Sequence, residues 1–132
     1  YRARLSRMLS RADIVKLSDE DMDWLGTEPA ALLREGAAVV LVTRGAEGVD
    51  VITREGKARV PARKVEVVDT VGAGDTFNAG FLAGLHRAGL LTRPALAAAW
   101  GTDLAKAADL GVRAAAVTVS RAGANPPWEG DL

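Results

Sequence analysis

The sequence contains no cysteine. That excludes a disulfide framework and any thiolate metal site, and it fits a cytoplasmic protein. Histidine is nearly as scarce. His86 stands alone, so no His-based metal cluster is expected, and a surface place on a helix suits it best. Net charge is missing as well: 17 Lys+Arg stand against 17 Asp+Glu. No global field therefore draws the chain to nucleic acid or to an anionic membrane. No apolar run approaches the roughly 18 residues of a membrane span. The opening "YRARLSRMLS" has neither an initiator Met nor the apolar stretch of a signal peptide. It reads as the middle of an amphipathic helix, so the expectation is a C-terminal portion of something longer. Aromatic residues are only 5% of the chain. Trp24, Trp100 and Trp128 are scattered and expected in a core or an interface rather than on a ligand.

What is present is ordinary globular material. The 132 residues are 48% apolar and 26% charged, enough for one domain with one core. Residues 1–10 have helical spacing at Leu5, Met8 and Leu9, with Arg2, Arg4, Arg7 and Arg11 as a solvated face. "ADIVKL" (12–17) predicts a short strand. "SDEDMDWL" opens a helix, with Ser18 as N-cap and Asp21 as the acid three residues on. "EPAALLREGA" gives another, with Pro29 early and Gly36 at the stop. The β-branched run 38–43 predicts a strand buried on both faces. Segments 49–54 and 58–62 predict a small antiparallel meander. A helix follows from Ala73 to about Ala88, with Phe77, Phe81 and Leu85 every four residues and small residues between them. Two more helical stretches are expected, Pro94 to Leu110 and Val112 to Val119. This alternation predicts an α/β layered fold.

"DTVGAGDTF" (69–77) carries the sharpest chemical question. Amides at a helix N-terminus lack intrahelical acceptors and carry about half a positive charge. Gly72, Ala73 and Gly74 keep bulky side chains away from them. An anion could reach those donors, and Asp75 could take a proton from a hydroxyl beside it. A plain helix cap behind a flexible loop explains the same residues, so the local pattern leaves both readings open.

The longer stretch "DTVGAGDTFNAGFL" (69–82) resembles the second signature of the ribokinase (PfkB) family of carbohydrate kinases. Asp69, the small residues 72–74, Asp75 and the pair Ala79–Gly80 fall where that signature places them. The resemblance runs over nearly the whole chain, but matches only the C-terminal half or so of a typical member. It implies a ribokinase-like layered fold: a mainly parallel sheet flanked by helices with a small antiparallel meander, as a partial domain lacking its N-terminal half. It also implies that residues 1–132 are the nucleotide-binding and catalytic portion of such a kinase. Asp75 becomes the base for the sugar hydroxyl, and the amides of Gly72, Ala73 and Gly74 the anion hole for the transferred phosphoryl.

"VTRGAEG" (42–48) is a glycine-containing turn between strands, and is similar to the family's Thr-x-Gly-x-x-Gly nucleotide loop. The resemblance places Thr43, Arg44, Gly45, Ala46, Glu47 and Gly48 along the phosphates and ribose of ATP. "KLSDED" (16–21) is a capping box by local chemistry. By position it corresponds to the family's Asn-x-x-Glu motif, here Ser18-x-x-Asp21. Both side chains depart from that pattern. Ser18 would border the nucleotide, and the shorter Asp21 would reach Mg2+ only through water. The tail "AAAVTVSRAGANPP" (114–127) reads as a helix ending at a glycine, and resembles the family's closing segment. By transfer, Asp69 with the carbonyls of Val71, Thr118, Arg121 and Gly123 would surround a monovalent cation such as K+. Val112 falls at the adenine side, so ATP would lie across residues 43–48 and 112–123.

These implications add up to a Mg2+- and ATP-dependent sugar kinase without nucleic-acid or membrane partners, and with a homodimer as its full-length form. Fructose leads as substrate, because "VKLSDEDMDWL" and the "NPPW" ending are similar to bacterial fructokinase-like members. Ribose, 2-keto-3-deoxygluconate and nucleosides stay open. Two other classes stay open as well: a truncated, inactive nucleotide-binding module, and an interaction role in which an exposed face docks onto a partner.

Overall fold

The computed structural model describes all 132 residues. In order, the elements are α1 (Arg2–Leu9), β1 (Ile14–Ser18), α2 (Asp19–Leu25), α3 (Pro29–Glu35), β2 (Val39–Thr43), β3 (Val49–Thr53), β4 (Gly56–Val60), α4 (Ala73–Arg87), α5 (Arg93–Ala97) and α6 (Gly101–Val119). Short 3-10 turns cover Gly45–Glu47 and Glu129–Asp131. No helix is long and apolar enough to cross a membrane.

The four strands form one sheet in the order β1-β2-β3-β4. β1 and β2 pair in parallel, joined by the α2–α3 crossover, and the pairs β2–β3 and β3–β4 are antiparallel. The layered α/β class is as expected, and within this chain the sheet is mixed. The meander is its continuation rather than a separate unit.

Strand alternation sorts the core into two layers. Val39 and Leu41 of β2, with Val49, Val51 and Val60, face Phe77, Phe81 and Leu85 of α4 and Leu104, Ala107 and Val112 of α6. Val40 and Val42, with Val15, face Leu32, Leu33 and Ala37 on the other side, where Leu9, Leu17 and Met22 also pack. β2 is thus covered on both faces, which is why its run is continuously apolar. Each fully buried Val or Leu there contributes about 1.5–3 kcal/mol by leaving water.

Local chemistry sets the helix ends. Ser18 Oγ accepts the Asp21 amide at 3.0 Å, and Asp21 Oδ2 accepts the Ser18 amide at 3.0 Å, so the capping box forms in full. Gly26 closes α2 in the left-handed region. The two helices expected across 94–119 divide elsewhere. α5 stops at Ala97, and α6 runs unbroken from Gly101 to Val119. Gly101, a poor interior helix residue, opens a helix instead.

Gly111 does not end a helix because it is a contact point. A Cβ on it would stand 2.8 Å from the Phe77 carbonyl oxygen. Gly80 and Gly84 of α4 do the same from the other side: their Cβ atoms would lie 2.8 Å from Gly111 Cα and 2.7 Å from Ala107 Cα. α4 and α6 therefore meet backbone to backbone. Ala79 and Ala83, the other small residues of that run, face solvent. So do His86 and all three tryptophans, which removes the core from the two places expected for the tryptophans. Trp24 meets only the edge of Tyr1, at 6.0 Å between ring centroids.

Candidate functional site

The site is built where β1 and β2 end. Their parallel register sets Ser18 beside Thr43, and Thr43 Oγ1 leans onto the Leu17 carbonyl at 3.4 Å. Loops leaving the carboxyl ends of parallel strands are where α/β sheets bind ligands. After Thr43 the chain turns tightly. The Arg44 amide donates to the Gly48 carbonyl at 2.8 Å, around the exposed Gly45, Ala46 and Glu47. Gly48 has φ +99°, and a Cβ there would strike the Val60 carbonyl oxygen at 2.0 Å, so no other residue fits.

Arg44 points elsewhere than expected. Its guanidinium bonds Asp50 at 2.6 Å, and Arg59 bonds the same carboxylate at 2.7 Å. Asp50 is fully buried on the side of the sheet away from α4 and α6. Hydrogen bonds from Arg59, opposed by desolvation and aided by Arg44, lower its pKa to about 2. The Arg44 side chain is thus a structural partner of Asp50, and only its backbone belongs to the loop.

The glycine loop enters α4 through Gly72, at φ +81° and with no side chain capping the helix. Three amides there, of Gly72, Gly74 and Asp75, donate to no protein acceptor. The Ala73 amide is turned into the loop itself, toward the Thr70 carbonyl at 3.3 Å. Of the three amides expected to receive an anion, those of Gly72 and Gly74 are free, and the Asp75 amide is free beside them. Asp75 lies in the first turn of α4 with its side chain exposed.

The tail clasps this loop. Val68 and Asp69 donate their amides to the Val119 carbonyl at 2.7 and 3.1 Å. Asp69 accepts the amides of Val71 at 3.0 Å and Gly123 at 2.9 Å. Those bonds, Val71 foremost, hold its carboxyl below the usual aspartate range. Deeper in, Thr118 Oγ1 donates to Thr76 Oγ1 at 3.0 Å, and Thr76 Oγ1 to the Gly72 carbonyl at 2.8 Å. Asp69, Val71, Thr118 and Gly123 are thus brought together at one place, with Arg121 on the turn between. Val112 is not part of it. Residues 112–119 are helix, as expected, but as the last turns of α6, and Val112 is buried among the core residues between α6 and the sheet. Its side chain has no face to offer an adenine, which corrects the expectation placed on it.

Residues 1–130 match the family described as pfkB family carbohydrate kinase. The chain belongs to that family. Among curated PfkB relatives, a fructokinase of Rhizobium leguminosarum bv. trifolii is 50% identical over 99 residues, which is 70% of this chain and 30% of that protein. A fructokinase of Klebsiella pneumoniae is 39% identical over 135 residues, 97% of this chain and 42% of its own length. The solved fructokinase of Xylella fastidiosa with bound ATP superposes with a TM-score of 0.83 at 30% identity, covering 93% of this chain and 41% of that one. The chain therefore spans less than half the length of these PfkB relatives.

One side chain at the site was missed by sequence reasoning. Lys16, on the β1 face turned toward α4, reaches the Gly74 carbonyl at 3.4 Å and lies 5.5 Å from the centre of the Phe77 ring. Its signal was present: in "ADIVKL" a lysine breaks an apolar strand two residues before Ser18. Burial holds its pKa below that of an ordinary lysine, against the opposing charges of Asp75 and Asp21. No three His, Cys, Asp or Glu side chains gather to hold a metal ion.

Proposed function

We propose that this chain is the nucleotide- and phosphoryl-handling portion of an ATP-dependent sugar kinase, with fructose as its acceptor. One observation carries the reading: a carboxylate, Asp75, stands in the same helical turn as three unpaired amides, of Gly72, Gly74 and Asp75 itself. The fructokinase relatives, at 50% and 39% identity, support the acceptor. The fructokinase solved with bound ATP supports the donor.

In this mechanism a sugar hydroxyl oxygen forms a bond to the terminal phosphorus of ATP. The bond from that phosphorus to the bridging oxygen breaks, and ADP leaves. The hydroxyl proton passes to Asp75. The amides of Gly72, Gly74 and Asp75 meet the charge on the phosphoryl oxygens, and the backbone turn 43–48 borders the nucleotide. Positioning and charge neutralisation account for most of such catalysis. Mg2+, when bound, would neutralise the phosphates. Asp21 fits only an outer role toward it, since one carboxylate oxygen already accepts the Ser18 amide. Asp69 and the carbonyls beside it are proposed to hold a monovalent cation under the loop.

The test is Asp75→Ala in the protein as its host produces it, since this chain spans under half of its relatives. Sugar-dependent ADP release should fall by orders of magnitude with nucleotide affinity barely changed. A variant keeping more than a tenth of wild-type turnover would show that Asp75 is not the base. A second acceptor class is favoured by an aminoimidazole riboside kinase of Salmonella typhimurium, 37% identical over 90 residues. Turnover with fructose against a nucleoside separates the two.

A further inference from the structure

Lys16 has only weak partners for a half-buried charge: one long hydrogen bond and one aromatic ring. Its ammonium lies at the first turn of α4, where the helix dipole is positive and a cation is disfavoured. It is half-buried, and that burial works against its charge. Its one hydrogen bond, to the Gly74 carbonyl, is long at 3.4 Å, and a lysine has three donors to place. No carboxylate stands within ion-pair distance of it. Where this protein buries a charge for stability it does otherwise: Asp50 has two arginines, at 2.6 and 2.7 Å.

The stem, in contrast, is well fixed. β1 alternation sends Lys16 to the α4 side, where its ammonium lies over the Phe77 ring at 5.5 Å, a weak cation–π contact that fixes its place. Nζ lies against Gly74, where even a Cβ would meet it at only 3.5 Å, an ordinary contact. The result is a positioned cation beside the unpaired amides of Gly72, Gly74 and Asp75, with Asp75 and Asp21 near enough to act on its charge.

We propose that Lys16 is a catalytic residue whose ammonium contacts the phosphoryl group in transfer, opposite the amides at the start of α4. This rests on the reading of the site as a phosphoryl-transfer centre. A group passing between two oxygens spreads its charge over three equatorial oxygens. Amides meet that charge from the helix side, and Lys16 meets it from the strand side. Lys16 keeps its proton throughout. The bond from sugar oxygen to phosphorus forms, the bond to the bridging oxygen breaks, and the only proton that moves goes to Asp75.

The experiment compares wild type, Lys16→Met and Lys16→Arg in the protein as its host produces it. Calorimetry with Mg2+ measures binding of ADP and of adenylyl imidodiphosphate, which carries a third phosphoryl. Turnover and unfolding without nucleotide complete the set. Lys16→Met should bind the imidodiphosphate about tenfold more weakly, the scale of one charged hydrogen bond, with ADP affinity within about twofold. Its kcat should fall about a hundredfold, as when one oxyanion donor is removed, with an unchanged KM for sugar and an undiminished melting temperature. Lys16→Arg should recover part of the imidodiphosphate affinity.

If Lys16→Met lowers both nucleotide affinities together along with the melting temperature, Lys16 is structural and the proposal falls. If wild type turns over sugar and Lys16→Met does so equally, the contact is refuted while the kinase reading stands. If imidodiphosphate binding depends on Lys16 but no sugar is phosphorylated, the contact stands and the kinase reading fails.

Discussion

Thr118 Oγ1 lies 3.0 Å from Thr76 Oγ1 in a buried seam between α6 and α4, and Thr76 passes the chain of hydrogen bonds on to the Gly72 carbonyl. Two hydroxyls thus connect the C-terminal helix with the peptide that opens the candidate anion seat. Replacing Thr76 or Thr118 by Val removes the hydrogen bond between them, at a cost of about 0.5–1.5 kcal/mol. The cost stays small because Thr118 Oγ1 can still donate to the Ala114 carbonyl at 3.2 Å and the Gly72 carbonyl still accepts the Thr76 amide. The double variant should cost less than the sum of the singles, because it removes both ends of one bond. Urea unfolding of the four proteins in a double-mutant cycle checks this. Strictly additive losses would mean that the two hydroxyls do not interact.

The α4–α6 contact makes a prediction opposite to helix propensity. Alanine at position 80 or 111 should favour the helix by up to about 1 kcal/mol in isolation. Here a Cβ at Gly80 would sit 2.8 Å from Gly111 Cα, and one at Gly111 would sit 2.8 Å from the Phe77 carbonyl. Backbone cannot step aside cheaply, so each change should destabilise by about 1–3 kcal/mol. Gly101→Ala, with nothing within 4 Å, is the control and should lose nothing. Thermal unfolding of the three variants decides the matter.

Asp50 should govern part of the acid limb. Its folded pKa, about 2, lies below the 3.8 of a free aspartate. The stability this supplies is whole above the unfolded pKa and disappears as pH falls through the folded one, that is, between about pH 4 and pH 2. A shift of that size corresponds to roughly 2 kcal/mol. Asp50→Asn should lower stability at pH 7 by a similar amount and flatten the acid limb, as read by denaturant unfolding against pH. An unchanged limb would show that other carboxylates set it.

Asp69→Asn should loosen the clasp on the glycine loop. The carboxylate accepts the amides of Val71 and Gly123, 54 residues apart from its own position in the second case. Hydrogen exchange at those two amides should quicken while the β2 amides stay protected. Equal exchange before and after would remove Asp69 from the clasp.

Much of the site was legible because it is written in backbone demands. Gly48 and Gly72 adopt positive φ, Ser18 and Asp21 form a box fixed by spacing, and the β2 run needs cover on two sides. Side-chain direction was less legible. Arg44 sits in the nucleotide-type loop by sequence, yet Asp50, six residues on and alternating to the far face of the sheet, captures it. Val112 looked placed for a base because of its position in the family resemblance. Gly111 is a point of close approach inside one long helix, and Val112 turns into the core. Lys16 escaped notice for a related reason. A strand pattern tells that it faces one side, and only the packing of α4 tells what waits there.

The glycine seam has a consequence for anyone recombining this protein with its relatives. Helices that touch through backbone have no soft layer of side chains to absorb a mismatch, so α4 and α6 are a matched pair that must be inherited together. A crossover placed between Arg87 and Gly101 would join halves shaped for different counterparts. One placed in the irregular, solvent-facing stretch from Pro61 to Val67 would carry the glycine loop, its clasp and both helices across as one cassette.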